Sequence, residues 1–121
     1  MNTESIFNIT RVYADAHGDS HFEDSVVPLK SNGDIGFLSD EEPVKGIIFR
    51  EVTPGYDYDF HNAPQRQYII LLDGGVEIET SLGEKRTFGT GHILLVEDTT
   101  GKGHKTRNLE HKTRKSIFIT L

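Results

Sequence analysis

The sequence of 121 residues contains no cysteine, and this excludes both disulfide bonds and thiolate metal ligands. It also has no apolar run as long as a signal-peptide core or a membrane span. Basic residues are in the minority, since 13 Lys and Arg stand against 19 Asp and Glu for a net charge of −6. Nucleic-acid binding requires a clustered basic face. We therefore expect a cytoplasmic protein that binds neither nucleic acid nor a membrane.

The one concentration of basic residues runs from Lys102 to Lys115 and includes Arg114, but Glu110 interrupts it. Mixed charges of this kind are typical of a solvated face made of a strand and its adjoining loops. The segment is therefore predicted to face water, with Arg114 among its exposed residues.

Helical patterns are also missing, because no window shows a sustained apolar stripe at positions i, i+3, i+4 and i+7. Short runs typical of β-strands recur instead, separated by Gly, Asp, Asn, Ser and Pro. Many short strands with turns between them predict an all-β sandwich or barrel, in one domain covering residues 1–121. The predicted strands are 9–14, 21–29, 45–52, 56–63, 67–72, 76–80, 85–88, 93–96, 103–108 and 114–121.

Two segments are expected at the periphery. Pro28 lies in the second strand, and proline cannot donate a hydrogen bond to a central ladder, so this strand is predicted at a sheet edge. Residues 31–43 are polar and contain glycine, which is typical of a connecting loop. The apolar residues Ile35, Phe37 and Leu38 are expected to anchor that loop to the core.

The sequence Asp-Gly-Gly at 73–75 is a strong hairpin signal. It predicts that strands 67–72 and 76–80 pair with each other. Strand 76–80 alternates apolar and acidic residues, so Val76 and Ile78 are expected to face the core.

The segments 68–72 and 93–96 are apolar on both faces. One face can line the interior of a barrel, whereas the other needs a second sheet or a partner subunit to cover it. We therefore expect a homodimer, with the N-terminal strands in about residues 1–30 packing on the partner subunit.

Two histidine-bearing segments, 55–74 and 91–108, are the candidate walls of a ligand site. Strand alternation places Asp59 and His61 on one face, and the same register continued past Pro64 adds Gln67, Ile69 and Leu71. In the second segment His104, Thr106 and Asn108 share a face. A barrel can bring this face next to the face that carries His61. The predicted pocket residues are His61, His104, Asp59, Gln67, Asp98, Thr106 and Asn108.

Carboxylates occur close to both histidines in the sequence. Asp57 and Asp59 precede His61, while Glu97 and Asp98 begin the loop that is expected over the barrel mouth. A carboxylate beside an imidazole is a general acid–base arrangement. It is equally an ordinary hydrogen bond at the rim of a barrel, and both interpretations remain open.

Other aromatic and imidazole side chains are expected outside the pocket. Tyr56, Tyr58 and Phe60 alternate with the pocket residues, so they are predicted to pack between sheets or at a subunit contact. His92 begins a strand and is expected to face solvent. His21 is expected at the barrel mouth or at a subunit contact.

The first histidine segment resembles the first motif of the cupin superfamily. Gly55, His61, Gln67 and Gly74 occur at the family spacing. The sequence departs from the motif at two ligand positions, because Ala63 stands in place of a second histidine and Gln67 in place of a glutamate.

The second histidine segment resembles the second cupin motif. Gly91 and the pair His104 and Asn108 match the motif, and Glu97 replaces its proline. The loop before His104 is two residues longer than the pattern. The two motifs together imply a cupin-type double-stranded β-helix, or jelly-roll barrel.

In typical cupins the histidines and the glutamate of these motifs bind a divalent metal. Carried over to this chain, the resemblance implies a site formed by His61, Gln67 and His104, with Zn, Ni, Fe or Mn as candidate ions. The glutamine offers a carbonyl oxygen but no negative charge, so metal affinity should be lower than with glutamate. The alternative is a metal-free barrel in which these side chains bind one another or a ligand.

The resemblance implies two classes of function. One is an enzyme that oxygenates, isomerises or cyclises a small organic molecule, with His61 and His104 holding a metal or moving protons as catalytic residues. The other is a non-catalytic module that binds a small molecule for a sensory or storage role. Fold-level similarity does not choose between them. The sequence contains no nucleophile elbow, P-loop or dinucleotide-binding fingerprint.

Overall fold

The structure is a computed structural model that describes residues 5–121. Within this range the regular structure is almost entirely β, with one short 3-10 turn at Gly33–Ile35. Within residues 5–121 the structure contains no helix that could span a membrane. The strands are β1 (Ile6–Ala14), β2 (Ser20–Pro28), β3 (Lys30–Ser31), β4 (Phe37–Leu38), β5 (Gly46–Val52), β6 (Asp57–His61), β7 (Gln67–Leu71), β8 (Val76–Thr80), β9 (Lys85–Phe88), β10 (Ile93–Val96), β11 (His104–Asn108) and β12 (Arg114–Thr120).

The strands form two main sheets. One has six strands in the order β2-β1-β10-β7-β12-β5, and the other has four in the order β6-β11-β8-β9. From β5 to β12 the chain crosses between the sheets at every connection except the one joining β8 to β9. Repeated crossing of this kind is the double winding of a jelly roll, and the predicted all-β fold is confirmed.

The core lies between the two sheets. Inward side chains of both sheets form one apolar cluster, which includes Val12 and Leu94 from the larger sheet and Ile78 and Phe88 from the smaller one. In β8 the acidic residues are partly exposed, whereas Val76 and Ile78 are each only 2% exposed. The period-2 pattern of this strand therefore predicts its buried face correctly.

Most predicted strand boundaries agree closely with the structure. β8, β9 and β10 begin and end at the predicted residues. β2, which ends at Pro28, lies at the edge of the six-stranded sheet. The proline therefore removes no hydrogen bond from a central ladder.

The predicted hairpin at 73–75 is wrong. β7 and β8, the strands on either side, belong to different sheets, and β8 pairs with β9 and β11 instead. Gly74 has φ +60°, and a Cβ atom there would lie 3.4 Å from Arg114 Cγ. A glycine with positive φ is needed in many tight turns, so it marks the turn without determining which strands pair.

The predicted anchoring of the 31–43 loop is also wrong. Ile35, Phe37 and Leu38 are 69%, 55% and 45% exposed. The segment closes on itself, because β3 pairs with β4 in a small ladder of its own, where Lys30 lies opposite Leu38. The first part of the loop therefore forms local backbone hydrogen bonds, and these three side chains stay outside the core.

The outward face of the six-stranded sheet is rich in exposed apolar side chains. Phe7 of β1 is 49% exposed, and Ile47 and Phe49 of β5 are 52% and 76% exposed. The first four residues of the predicted N-terminal packing segment 1–30 lie outside the described residues, while β1 and β2 belong to this sheet. These side chains form a patch on one face of the sheet, which distinguishes them from a single exposed apolar residue.

Candidate functional site

A cavity with a volume of about 70 Å³ lies between the two sheets. Its floor is apolar and is formed by inward side chains such as Ile69, Leu71 and Leu94. A space of this size holds a few water molecules or a compact ligand, and is smaller than the roughly 300–1,000 Å³ of pockets for drug-sized molecules. The polar side chains that line it are Arg50, Tyr56, His61, Gln67, His104, Thr106 and Arg114.

His61 and His104 form an imidazole pair at one wall of the cavity. The two residues are directly opposite each other in the antiparallel pairing of β6 with β11. Their ring centroids are 4.6 Å apart, with the planes tilted by 56°. The structure therefore brings together two histidines that are 43 positions apart in the sequence (104 − 61), as predicted.

Each imidazole is held through its Nδ1 atom. His61 Nδ1 lies 2.8 Å from the Asp59 carbonyl oxygen, and His104 Nδ1 lies 2.5 Å from Asp98 Oδ2. A carbonyl oxygen can only accept, so Nδ1–H of His61 is the donor, and Nδ1–H of His104 donates to the carboxylate in the same way. In the neutral form of each ring, this hydrogen bond leaves the lone pair on Nε2, where it can accept a proton or bind a ligand or a metal.

Burial lowers the pKa of His61 below its usual value, and the nearby His104 acts in the same direction. The hydrogen bond to the Asp59 carbonyl and the charge of Asp98 oppose this shift without reversing it. A lowered pKa favours the neutral imidazole of His61, which is the state that binds metals and accepts protons.

Gln67 contributes the third predicted ligand atom. Its side chain lines the cavity and is 3% exposed, and its Oε1 atom has no hydrogen-bond partner within residues 5–121. A buried carbonyl oxygen without a partner is unfavourable, so a ligand that supplies a partner stabilises this arrangement. Two imidazole nitrogens and this oxygen are a donor set that fits a divalent ion.

A conventional three-residue site is not available to replace this set. In the described range of 5–121, no three His, Cys, Asp or Glu side chains lie close enough together to hold a metal. Ala63 lines the cavity at the position where the cupin motif has its second histidine. A metal here would consequently depend on the amide of Gln67 as its third protein ligand.

Asp98 lies behind His104 and does not line the cavity. It is fully buried, and its backbone carbonyl accepts hydrogen bonds from Ala63 N at 3.1 Å and Asn62 Nδ2 at 3.3 Å. Its predicted place in the ligand pocket is therefore corrected to that of an orienting residue. The carboxylate–imidazole pair with His104 lies in the interior, so it is not a hydrogen bond at an exposed rim.

Asp59 also lies outside the cavity, because a β-bulge changes the alternation of β6. Between the pairs His104–His61 and Thr106–Tyr58, β6 spans one residue more than β11. An extra residue in one strand reverses the faces of the residues beyond it. Asp59 is therefore exposed, and its Oδ1 atom accepts a hydrogen bond from the backbone of Phe60.

The same bulge moves two tyrosines to the histidine side of β6. The ring of Tyr58 stacks on that of His61, with 3.8 Å between centroids and 24° between planes. Tyr56 lines the cavity. The prediction that these rings lie on the opposite face from His61 is wrong for both, because strict alternation assumes a strand without a bulge.

Thr106 lines the cavity, whereas Asn108 lies beside it. Asn108 Nδ2 donates to the carbonyl oxygens of Thr53 and Pro54, at 3.1 and 3.3 Å. Its Oδ1 atom accepts a hydrogen bond from Arg114 Nε at 3.0 Å. The predicted pocket role of Asn108 is thus corrected to that of a residue that positions Arg114.

Arg114 is the largest error of the sequence-based prediction. It is 2% exposed and lines the cavity, whereas its charge pattern predicted a solvated surface. Burial lowers the pKa of Arg114 below its usual value, and the positive charge of Arg50 adds to this effect. Strand alternation could have predicted this burial, because Arg114 and Phe118 share the inward face of β12. Arg50 lies on the inward face of the paired strand β5.

His92 is partly buried, in contrast to the prediction that it faces solvent. Its Nε2 atom lies 3.1 Å from Thr10 Oγ1, and its ring centroid lies 4.7 Å from that of Phe88. Burial lowers the pKa of His92. His21 binds the carboxylate of Asp15, with 2.6 Å between Nε2 and Oδ2, and neither histidine lines the cavity.

No protein-family model matches the chain, and no curated protein matches it. Among solved structures, the cupin domain of Schizosaccharomyces pombe Cnp3 is similar over 98% of this chain and 83% of its own length, with 12% identity and a TM-score of 0.51. A conserved Streptococcus pyogenes protein of unknown function, SPY1581, aligns over 69% of this chain and 70% of its own, with 17% identity and a TM-score of 0.47. The two interleaved sheets and the similarity to the Cnp3 domain show that this chain has a jelly-roll fold like that of a cupin domain.

Proposed function

We propose that this protein binds a small molecule in the cavity between its sheets, and that a divalent metal on His61, Gln67 and His104 anchors that molecule. The observation that supports a metal most directly is the pair of Nδ1–H hydrogen bonds, to the Asp59 carbonyl and the Asp98 carboxylate. Metal-binding histidines commonly donate their second ring nitrogen to such acceptors, which fixes the tautomer and the ring orientation.

The chain's own groups have distinct roles in this proposal. When bound, a divalent metal would polarise an oxygen atom of the ligand as a Lewis acid. His104 is held rigidly by a buried carboxylate, whereas His61 is half-buried beside the exposed ring of Tyr58. A neutral His61 can also accept a proton from the bound molecule, so it is the candidate general base if the site is catalytic.

We expect Gln67→Glu to tighten metal binding by roughly tenfold or more, because it adds a negative charge at the third ligand position. His104→Ala should abolish stoichiometric binding, since it removes one of two imidazole ligands. The measurement is calorimetric titration with Zn²⁺ or Ni²⁺, together with the metal content of protein purified without an affinity tag. His111→Ala is the control, because His111 is exposed.

Two results would contradict this proposal. If the untagged protein contains no stoichiometric metal and does not bind added metal, the metal has no role in the site. If the His104→Ala protein keeps its full metal content, His104 is not a ligand.

Binding without a metal is a second candidate function. The observation in its favour is the pair of guanidinium groups, from Arg50 and Arg114, in the cavity wall. These charges can hold a ligand without a metal ion. Ligand affinity that is unchanged after exhaustive chelation would favour this candidate, whereas loss of affinity would favour the metal-dependent form.

We also propose that the protein is a homodimer formed through the outward face of the six-stranded sheet. This face exposes Phe7, Ile47 and Phe49, and pairing would remove their apolar surface from water. Light scattering at micromolar concentration should give twice the mass of the chain, and Phe49→Glu should give the monomer. A monomeric mass for the unmodified protein would remove the dimer from the proposal.

A further inference from the structure

Arg114 is an ion in the interior of the barrel. Its side chain is 2% exposed, and Nε donates to the neutral amide oxygen of Asn108. Its Nη2 atom has no hydrogen-bond partner in the described part of the chain. A guanidinium group stays protonated at physiological pH. Asp73 acts on this charge without forming an ion pair with it, and a buried charge without an ion-pair partner is strongly unfavourable, so an anion that reaches this group would stabilise the fold.

Arg50 brings a second positive charge to the same place. Its guanidinium carbon lies 4.9 Å from the centroid of the Tyr56 ring and 5.0 Å from that of Phe118. The guanidinium carbon of Arg114 lies 5.7 Å from the same Tyr56 ring. None of the ion pairs formed within residues 5–121 includes either arginine. The two positive charges repel each other, and an anion bound between them would attract both and outweigh that repulsion.

The apolar part of the cavity surface favours an anion that carries a hydrocarbon group. Ile69, Leu71 and Leu94 suit such a group and offer nothing to the outer oxygens of a phosphate or sulfate, whereas the hydroxyl of Thr106 and the two imidazoles come from the four-stranded sheet. The volume of about 70 Å³ admits only a compact molecule. A carboxylate with a short apolar tail satisfies both conditions, and its two oxygens match the planar fork of a guanidinium.

We propose that the cavity binds a small organic carboxylate through Arg114 and Arg50. This proposal rests on the proposed function, because it identifies the ligand class of the same cavity. The imidazole pair, His61 and His104, comes from the four-stranded sheet, whereas the two arginines come from the six-stranded sheet. The carboxylate therefore contacts the six-stranded sheet, while the rest of the molecule faces the imidazoles.

The test is a titration with sodium propionate, followed by calorimetry or ligand-observed NMR. We expect saturable binding with a dissociation constant on the order of 1 mM or tighter. Propionamide has the same shape without the charge, and it should bind at least about tenfold more weakly. Arg114→Met and Arg50→Met should each weaken propionate binding by about tenfold or more. Arg107→Met is the control, because Arg107 is paired with Glu77 outside the cavity.

Several outcomes would overturn the carboxylate proposal. Equal affinity for propionate and propionamide, or unchanged propionate affinity in the arginine variants, would show that charge is not recognised while leaving ligand binding in the cavity intact. Tighter binding of inorganic phosphate than of propionate would assign the site to inorganic anions. Absence of propionate binding in a protein that binds Zn²⁺ would overturn this inference alone, whereas absence of both would also remove the proposed function. If Arg114→Met fails to fold, the half-buried Arg50 decides the same question.

Discussion

Gly103→Ala is expected to lower the free energy of unfolding by about 3 kcal/mol or more, which is the largest effect we predict for a single methyl group. Gly103 has φ +76°, and a Cβ atom at this position would lie 2.2 Å from the carbonyl oxygen of His61. The left-handed conformation alone costs a residue with a side chain about 1–2 kcal/mol. The contact is with backbone, so the strand must move, and this adds about 1–3 kcal/mol.

The effect on the site should be as large as the effect on stability. Gly103 directly precedes His104, and the atom that blocks a side chain here belongs to His61. Alanine would therefore push β6 and β11 apart at the point where the two imidazoles face each other. We expect the variant to lose Zn²⁺ binding even at temperatures at which it remains folded.

Thermal unfolding by circular dichroism measures the first effect, and a fall in Tm on the order of 10 °C is expected. Gly89→Ala is the matched control, because φ is not positive there and a Cβ atom would meet nothing within 4 Å. If the two variants have equal Tm values, then β6 and β11 do not approach as closely at Gly103 as the structure shows.

Leu71→Ala is expected to cost about 3 kcal/mol of stability, because it leaves a void at the floor of the cavity. Leu71 is 1% exposed and packs in the apolar cluster between the sheets. The next residue, Leu72, is 46% exposed, so Leu72→Ala should cost less than about 1 kcal/mol. The two variants carry the same substitution at adjacent positions, so they differ mainly in how deeply the leucine side chain is buried.

Urea unfolding of both variants gives the comparison. The difference between their midpoints should correspond to about 2 kcal/mol or more. Similar midpoints would mean that Leu71 is not in a packed core. A large loss in the Leu72→Ala protein would instead indicate that a subunit contact covers this residue.

Period-2 alternation predicted the inward residues correctly in strands without irregularities. Gln67, Ile69 and Leu71 line the cavity together, and Val76 and Ile78 are buried as a set. Such strands have only two faces, so one apolar face determines the position of every other side chain. The placement of His61 beside His104 followed from the spacing that resembles the cupin motifs, since β6 itself carries a bulge.

The same rule failed where pairing between strands decides the geometry. The extra residue in β6 is visible only against β11, and it reverses the faces of Asp59 and Tyr58. The partner of β8 likewise depends on the whole barrel, although the glycine turn before it was recognised. Both are non-local properties, which a pattern within one segment does not contain.

Arg114 was misplaced for a different reason. The prediction placed Arg114 at the surface because buried arginines are uncommon, and it gave no weight to the position of Arg114 in the alternation of its strand. In the structure its stem packs against Gly74, and Asn108 holds its Nε atom. A buried arginine thus becomes predictable only once the residues that surround it are known, and Gly74 lies far from it in the sequence.

The parallel pairing of β1 with β10 sets the order in which the chain can fold as it is synthesised. Thr10 pairs with Leu94, so the first long strand has no partner on that side until residue 94 is available. β1 can form its hairpin with β2 early, because Ile6 to Ala14 pair with the next strand along the chain. Val12 and Phe22, which pack in the core of the complete fold, are then expected to stay in contact with water until residues 91–108 have been synthesised. Closure of the barrel, and with it the meeting of His61 and His104, is therefore expected as a late and slow step of folding.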